Sequence, residues 1–133
     1  MQIEKRDYVA YSKYKNKKCE VDGIKFDSQV ESKYYLYLKQ IKIEGLIKDF
    51  ELQPKFLLQD AFRDRNDKLI RKIEYKGDFL LTLNDDTQVV IDVKGSQFFL
   101  TPEFKLKVKL FKYKYPELVF SCVMWKGKEW VYF

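Results

Sequence analysis

The stretch "DFLLTLNDDTQVVIDVKG", residues 78–95, decides the fold, because two apolar segments flank a short polar turn at residues 84–86. This pattern predicts two antiparallel strands joined as a β-hairpin. Side chains alternate between the faces of a strand, so the second segment has one apolar face formed by Val89, Ile91 and Val93. Its other face carries Val90, Asp92 and Lys94. An apolar strand therefore presents a carboxylate and an ammonium side by side, which requires an explanation.

The length of the turn determines whether two aspartates meet. With a three-residue turn at residues 84–86, Asp78 lies directly opposite Asp92 and the Cβ atoms are about 5 Å apart. A two-residue turn at residues 85 and 86 would shift the pairing and send Asp78 to the other face of the sheet. Like charges directly opposite each other destabilise a sheet, so the three-residue turn predicts a compensating interaction.

A divalent cation would supply that compensation. Mg²⁺ or Mn²⁺ prefers oxygen ligands and typically binds one or two carboxylates together with water and phosphate oxygens. Lys94 lies about 7 Å beyond Asp92 on the same face, where it would hold a scissile phosphate or help to activate the attacking water. In the alternative interpretation, Asp92 and Lys94 form an ion pair on a solvated face and Asp78 takes no part.

Length and composition indicate a single domain spanning residues 1–133. The chain has 46% hydrophobic and 17% aromatic residues, which argues against disorder. No apolar run could cross a bilayer or form the core of a secretion signal, so we expect a cytoplasmic protein. Histidine is absent, which excludes Ser-His and Cys-His catalysis and histidine-ligated zinc. Cys19 and Cys122 match no metal-ligand spacing and are predicted to be reduced packing residues.

The formal net charge of +6 indicates a polyanionic partner, although basic surface also serves solubility alone. The positive charge is concentrated in the N-terminal segment, residues 1–18, where lysines alternate with Tyr11 and Tyr14. Such a segment suits phosphate contact and base stacking. A solvated, partly disordered tail explains the same composition equally well. The candidate DNA-binding lysines of this segment are Lys13, Lys15, Lys17 and Lys18.

Two helices are predicted by their end signals. The first follows Ser28 as N-cap and stops at Gly45, with an apolar seam at Val30, Tyr34, Leu38 and Ile41. The second lies within residues 101–116, because Thr101 is a good N-cap, Pro102 suits the first helical position and a second proline closes the segment. Its predicted apolar seam consists of Phe104, Val108, Phe111 and Tyr115.

The remaining apolar segments are predicted to be strands. The Asp22-Gly23 pair predicts a small hairpin before the first helix. Residues 47–52, 55–60 and 69–83 have strand character, as do residues 118–125 and 129–133. Within residues 69–83, the expected common apolar face consists of Ile73, Tyr75, Phe79, Leu81 and Leu83. The order of helices and strands predicts an α/β or α+β fold with a mixed sheet.

Other candidate functional residues each have a structural alternative. Glu31 forms an S-x-x-E capping box with Ser28, yet its neighbours on the helix are apolar, so it also faces the predicted sheet. In the second helix Lys105, Lys109 and Lys112 lie on one stripe, which either contacts DNA phosphates or is simply solvated. Gln53 is a further candidate for phosphate contact.

These residues together resemble the PD-(D/E)XK nuclease superfamily. In that superfamily an acidic residue on the first helix, an Asp on one strand and a (D/E)xK motif on the next form a Mg²⁺ site. The corresponding residues here are Glu31, Asp78 in "YKGDF", and Asp92 with Lys94 in "IDVKG". Gly77 stands in place of the proline of the superfamily name, and Asp92 in place of the more common Glu.

A more specific resemblance is to small phage-encoded proteins related to RecU-type Holliday-junction resolvases. The order of "VDGIKFDSQVESKYYLYL", "LQPKFLL", "YKGDFLL", "IDVKG" and "FKLKVKLFKYKYP" carries it, over residues 13–115. The resemblance implies an α/β fold with a restriction-endonuclease-like core, in which helices flank a mixed β-sheet. It also implies a Mg²⁺-dependent DNA endonuclease, with Mn²⁺ as substitute metal, that acts on branched DNA.

The biological setting implied by the resemblance is phage recombination or replication in the cytoplasm of a bacterial host. A homodimer is implied because four-way junctions have two-fold symmetry. A noncatalytic DNA-binding module with the same fold and a phage factor that binds only protein are the alternatives, since one fold hosts many functions.

Overall fold

The computed structural model describes residues 18–133, in which two helices flank a central sheet. Helix α1 spans Gln29–Ile43 and α2 spans Pro102–Lys114. The strands are β1 (Cys19–Val21), β2 (Ile24–Phe26), β3 (Asp49–Leu52), β4 (Lys55–Gln59), β5 (Phe62–Arg63), β6 (Leu69–Ile70), β7 (Ile73–Lys76), β8 (Phe79–Thr82), β9 (Gln88–Val93), β10 (Val119–Lys126) and β11 (Glu129–Tyr132). In this part of the chain no helix is long and apolar enough to span a membrane.

The central sheet has five strands in the order β11-β10-β9-β8-β3. Strands β9 and β10 are parallel, and α2 connects them, whereas the other neighbours are antiparallel. Three two-stranded ladders, β1-β2, β4-β7 and β5-β6, complete the structure. The predicted α/β class, with a mixed β-sheet flanked by helices, is confirmed.

Both helices begin where their capping residues predict. The side chain of Ser28 accepts a hydrogen bond from the backbone N–H of Glu31 at α1, and Thr101 does the same for Phe104 at α2. Gly45, just after α1, has φ of 80° and so permits the chain to turn away, as glycine does after many helices. Local sequence therefore determines the helix boundaries.

The register of the β8-β9 hairpin is the one that the three-residue turn predicts. Phe79 pairs with Ile91, and Thr82 pairs with Gln88. The N–H of Leu83 donates to the carbonyl oxygen of Thr87 at 2.8 Å, which closes the turn over residues 84–86. Asp78 directly precedes β8, so this register directs it towards Asp92.

The segment at residues 69–83 is not one strand, and this prediction is wrong. It divides into β6, β7 and β8, with β7 paired to β4 outside the central sheet. The break lies at Gly77, whose N–H donates to the carbonyl oxygen of Pro54 at 2.9 Å. A Cβ atom on this glycine would lie 2.9 Å from Cγ1 of Val90, so the close approach requires glycine.

Because the chain breaks at Gly77, Tyr75 does not share a face with Phe79 and Leu81, as had been expected. Phe79 and Leu81 pack in the larger apolar cluster, beneath α1. Tyr75 belongs to a second cluster with Val90 and Phe111, beneath α2. The central sheet is thus covered on both faces, and the break places Tyr75 on the same face as Asp92.

Candidate metal and phosphate site

A cleft of about 570 Å³ opens where β7 passes into β8, beside the carboxyl end of β9 and the start of α2. Charged side chains dominate its walls, and all three residues expected from the hairpin line it. The lining consists of Asp27, Glu31, Lys55, Glu74, Tyr75, Lys76, Asp78, Asp92, Val93, Lys94, Thr101, Glu103, Phe104 and Lys107. The cleft brings together residues from α1, α2, the three strands β4, β7 and β9, and the loops next to them.

Asp78 is fixed at the end of β8 by backbone contacts. Its N–H donates to the carbonyl oxygen of Ile91 at 3.0 Å, and its carbonyl oxygen accepts from the N–H of Gln53 at 2.9 Å. Its side chain takes the role that a backbone carbonyl oxygen has elsewhere in the ladder. Oδ2 of Asp78 accepts a hydrogen bond from the N–H of Val93 at 2.7 Å. The carboxylate is therefore held against β9 and cannot turn towards solvent.

Asp92 is buried, with 6% of its surface exposed, and both carboxylate oxygens have partners. The Tyr75 hydroxyl donates to Oδ2 at 2.7 Å, and Nζ of Lys94 lies 3.0 Å from Oδ1. The Lys94 ammonium also lies 3.6 Å from the centre of the Phe104 ring, a cation–π contact. The predicted ion pair therefore exists, but it lies inside a cleft rather than on a solvated face.

The pKa of the Asp78 carboxyl is raised to about 9, chiefly by burial and also by the charges of Asp92 and Glu31. The hydrogen bond from the Val93 N–H acts in the opposite direction but is the smaller effect. The cost of two opposed carboxylates is thus met in two ways: Lys94 neutralises Asp92, and Asp78 retains a proton. Perturbed carboxyl groups in a cleft are typical of functional sites.

Glu31 combines the two roles that the sequence left open. Its Oε1 accepts a hydrogen bond from the hydroxyl of Ser28 at 2.9 Å, so it supports the cap of α1. The side chain also lines the cleft and acts on the pKa of Asp78 through its charge and a hydrogen bond. In a standard capping box the glutamate accepts from the N–H of the N-cap residue, whereas here Glu31 accepts from the Ser28 hydroxyl.

Among residues 18–133, no group of three or more Cys, Asp or Glu side chains is arranged to hold a metal ion. The cleft does supply two desolvated carboxyl groups, with Glu31 beside them, and a bound cation would take the place of the proton on Asp78. Oxygen donors of this kind fit Mg²⁺ or Mn²⁺, which keep several waters and use substrate phosphates as further ligands. The residues present are thus compatible with such an ion, held by Asp78 and Asp92.

The other predicted contact residues do not line the cleft, although the backbone of Gln53 contacts Asp78. Lys105 and Lys109 are on the exposed side of α2, and Gln53 is exposed in the turn before β4, so none of them lines the cleft. Lys18 is exposed beside β1, whereas Lys13, Lys15 and Lys17 fall outside the described residues. Whether any of these side chains contacts DNA stays a prediction.

The cysteines occupy the packing positions expected of them. Cys122 is buried in the middle of β10, and burial raises the pKa of its thiol to about 11. Cys19 is half-buried, and its Sγ lies 3.8 Å from the carbonyl oxygen of Ser28. Both thiols are free.

Sequence reasoning missed several residues that the structure brings into the cleft. Tyr75 was assigned to the apolar face of a continuous strand, and its contact with Asp92 depends on the break at Gly77. The sequence does not indicate that Lys55 and Lys76 are functional residues, because their opposition depends on the pairing of β4 with β7. On α2 the sequence indicates the stripe of Lys105, Lys109 and Lys112, whereas the lysine that lines the cleft is Lys107. The glycine between Lys76 and Asp78 was the one available signal for the break.

The fold and the cleft define an α/β protein with a five-stranded mixed sheet between two helices, consistent with a restriction-endonuclease-like core. Residues 11–129 match the family described as "Protein of unknown function (DUF1064)", and the chain belongs to this family. No curated protein matches the sequence.

One solved structure that resembles the chain is titled "Crystal structure of SSO0001". It is 13% identical in sequence and superposes with a TM-score of 0.45, over 77% of this chain and 48% of the other. The present chain thus spans about half the length of that protein. The resemblance to PD-(D/E)XK nucleases stays a prediction, because neither comparison addresses activity.

Proposed function

We propose that this protein is a metal-dependent DNA endonuclease that hydrolyses phosphodiester bonds, with branched DNA as its substrate. The observation that carries the proposal is the convergence of Asp78, Asp92 and Lys94 in one cleft of a basic protein. Two desolvated carboxylates favour a divalent cation, and the ammonium beside them favours a phosphate oxygen. Both kinds of contact at one phosphorus atom stabilise the transition state of phosphodiester hydrolysis.

In the proposed reaction, the oxygen of a water molecule forms a bond to phosphorus. The attacking water loses a proton to solvent, and the bond from phosphorus to the leaving sugar oxygen breaks. That oxygen takes its electron pair and gains a proton from solvent. Asp78 and Asp92 would hold a Mg²⁺ ion, which would supply positive charge to stabilise the charge developing on the phosphate. Lys94 donates a hydrogen bond to a non-bridging phosphate oxygen and neutralises part of the same charge.

The residues around these three keep them in position. Tyr75 holds one oxygen of Asp92, and the N–H of Val93 holds one oxygen of Asp78. Neither donor is a flexible surface group, because Tyr75 and Val93 are both buried. Preorganised ligands of this kind reduce the reorganisation needed when a substrate binds.

The test is a cleavage assay on four-way junctions, flaps and linear duplex, with Mg²⁺ and with chelator. Asp92→Asn, purified identically, controls for a contaminating nuclease. Cleavage that requires Mg²⁺ and is lost in the variant supports the endonuclease. Binding of DNA by the unmodified protein without cleavage would identify a noncatalytic DNA-binding module instead. Phosphate contacts are strongest at low salt. Absence of DNA binding under that condition would favour the alternative in which the protein binds only another protein.

A further inference from the structure

Two lysines face each other across the β4-β7 ladder at the mouth of the cleft. Lys55 and Lys76 are direct partners in the register, both are exposed, and both line the cleft. Like charges directly opposite each other destabilise a sheet by amounts comparable to what opposite charges gain. The pair repeats, with the opposite sign, the arrangement of Asp78 and Asp92.

The two lysines differ from the other lysines of the cleft, Lys94 and Lys107, which each have an ion-pair partner. Within residues 18–133, no carboxylate lies within ion-pair distance of Lys55 or Lys76. The neighbouring charges are neutralised in pairs: Lys94 with Asp92 at 3.0 Å, Lys107 with Glu103 at 3.5 Å, and Lys72 with Glu74 at 3.2 Å. Two free ammonium groups therefore share one wall of the cleft.

Positive and negative charges alternate along the chain as it enters the cleft, since Glu74, Lys76 and Asp78 all line it. Lys76 precedes Asp78 by two residues, which corresponds to about 6–7 Å of extended chain. The wall formed by Asp78 and Asp92 would hold a cation, and the wall formed by Lys55 and Lys76 suits an anion. An anion with several oxygens that interacts with both walls matches the backbone of a nucleic acid.

We propose that Lys55 and Lys76 together bind one backbone phosphate of the DNA, next to the phosphate held at Asp78, Asp92 and Lys94. This inference rests on the proposed function for its ligand. Lysine ammonium groups bind phosphate as point charges, without the fixed geometry that arginine imposes. The bound phosphate would also remove the repulsion between the two lysines.

The test measures DNA binding without cleavage, with the full chain and a labelled four-way junction in the presence of chelator. For Lys55→Gln with Lys76→Gln we expect about tenfold weaker binding, as for the loss of a charged hydrogen bond. The slope of log K against log salt should fall by about 1, which corresponds to one phosphate contact. The matched control, Lys42→Gln with Lys48→Gln, removes the same charge at the opposite end of the sheet and should leave the slope unchanged.

A stability measurement separates loss of the contact from loss of the fold. The double variant at residues 55 and 76 should unfold at the same or a higher temperature than the unmodified protein, because the like-charge repulsion is gone. Unchanged binding and slope would overturn the phosphate site, and so would an equal loss in the control pair.

The two proposals can fail separately. If the lysine variant loses binding while the unmodified protein binds but never cleaves, the phosphate site stands and the endonuclease fails. If cleavage depends on Mg²⁺ and Asp92 but the lysine variant binds normally, the endonuclease stands and the phosphate site fails.

Discussion

The β8-β9 hairpin carries aspartates at both of its ends, and the two ends behave differently. At the turn, Asp86 is exposed and pairs with Lys48 at 2.6 Å, and hydrogen bonds with Thr87 lower the pKa of Asp85. At the open end, Asp92 is buried and burial raises the pKa of Asp78. The residue type is the same throughout, so the surroundings alone decide which aspartates are suited to chemistry.

The cause of the difference is coverage of the hairpin by other elements. Residues 84–86 at the turn end are exposed, so water screens each charge and surface ion pairs contribute little. The open end is covered by α2 and the β4-β7 ladder, where each carboxylate must find a partner or retain a proton. A destabilising arrangement at a covered end is typical of a functional site, because function is commonly gained at the expense of stability.

The largest expected effect is on cleavage activity, which should depend on the aspartate at the open end of the hairpin and not on the one at the turn. Asp92→Asn should reduce Mg²⁺-dependent cleavage by on the order of 10³-fold, because it removes charge stabilisation at the phosphate. Asp85→Asn, at the turn, should leave cleavage unchanged, since an amide oxygen can still accept the bond from Thr87. Initial cleavage rates on one junction substrate provide the comparison. Equal losses in the two variants would remove the distinction between the ends.

A second prediction concerns the hydrogen bond from the Tyr75 hydroxyl that holds the Asp92 carboxylate in position. Tyr75→Phe removes the hydroxyl that holds Oδ2 and should weaken Mn²⁺ binding by about 10–100-fold, as expected for a residue that orients a metal ligand. The matched control is Tyr113→Phe, because Tyr113 is 87% exposed on α2. Calorimetric titration of each variant with Mn²⁺ measures the affinities. Unchanged affinity in Tyr75→Phe would show that the hydrogen bond does not position the site.

Asp78→Asn should stabilise the metal-free protein at pH 8 by about 0.5–2 kcal/mol, even though it removes a proposed metal ligand. The amide keeps an acceptor for the Val93 N–H and removes the buried carboxyl, which must take up a proton on folding at this pH. Asp86→Asn should change stability by less than about 0.5 kcal/mol, as exposed ion pairs usually do. Urea unfolding with chelator present gives both values. Destabilisation of the Asp78 variant would show that its charge is better compensated than the structure indicates.

The raised pKa of the Asp78 carboxyl predicts that the stability of the protein depends on pH. This pKa rises from 3.8 to about 9 on folding, so between these values the folded protein binds a proton that the unfolded chain has released. The free energy of unfolding should therefore fall as the pH rises through this range. In Asp78→Asn that decline should be smaller by at least about 1 kcal/mol, the equivalent of one pKa unit. Parallel slopes for the two proteins would contradict the raised pKa.

Part of the candidate site could be predicted from the sequence because its determinants are local. The turn at residues 84–86 sets the hairpin register, and the register places Asp78 opposite Asp92. The alternation of side chains then puts Lys94 on the same side. The capping residues Ser28 and Thr101 likewise set where both helices begin. In each case the interacting residues lie within about fifteen positions of one another.

The rest depended on segments that are distant in sequence. Gly77 breaks the strand because Pro54 and Val90 approach its backbone, and no pattern within residues 69–83 reveals either contact. The opposition of Lys55 and Lys76 follows from the pairing of β4 with β7. The sequence by itself determined where the helices begin and restricted one hairpin to two registers, since hydrogen bonding within a cap or a turn is local. The structure selects the register of the three-residue turn. Only tertiary packing decided which charges are buried, because the desolvation of a carboxylate depends on what the whole chain places over it.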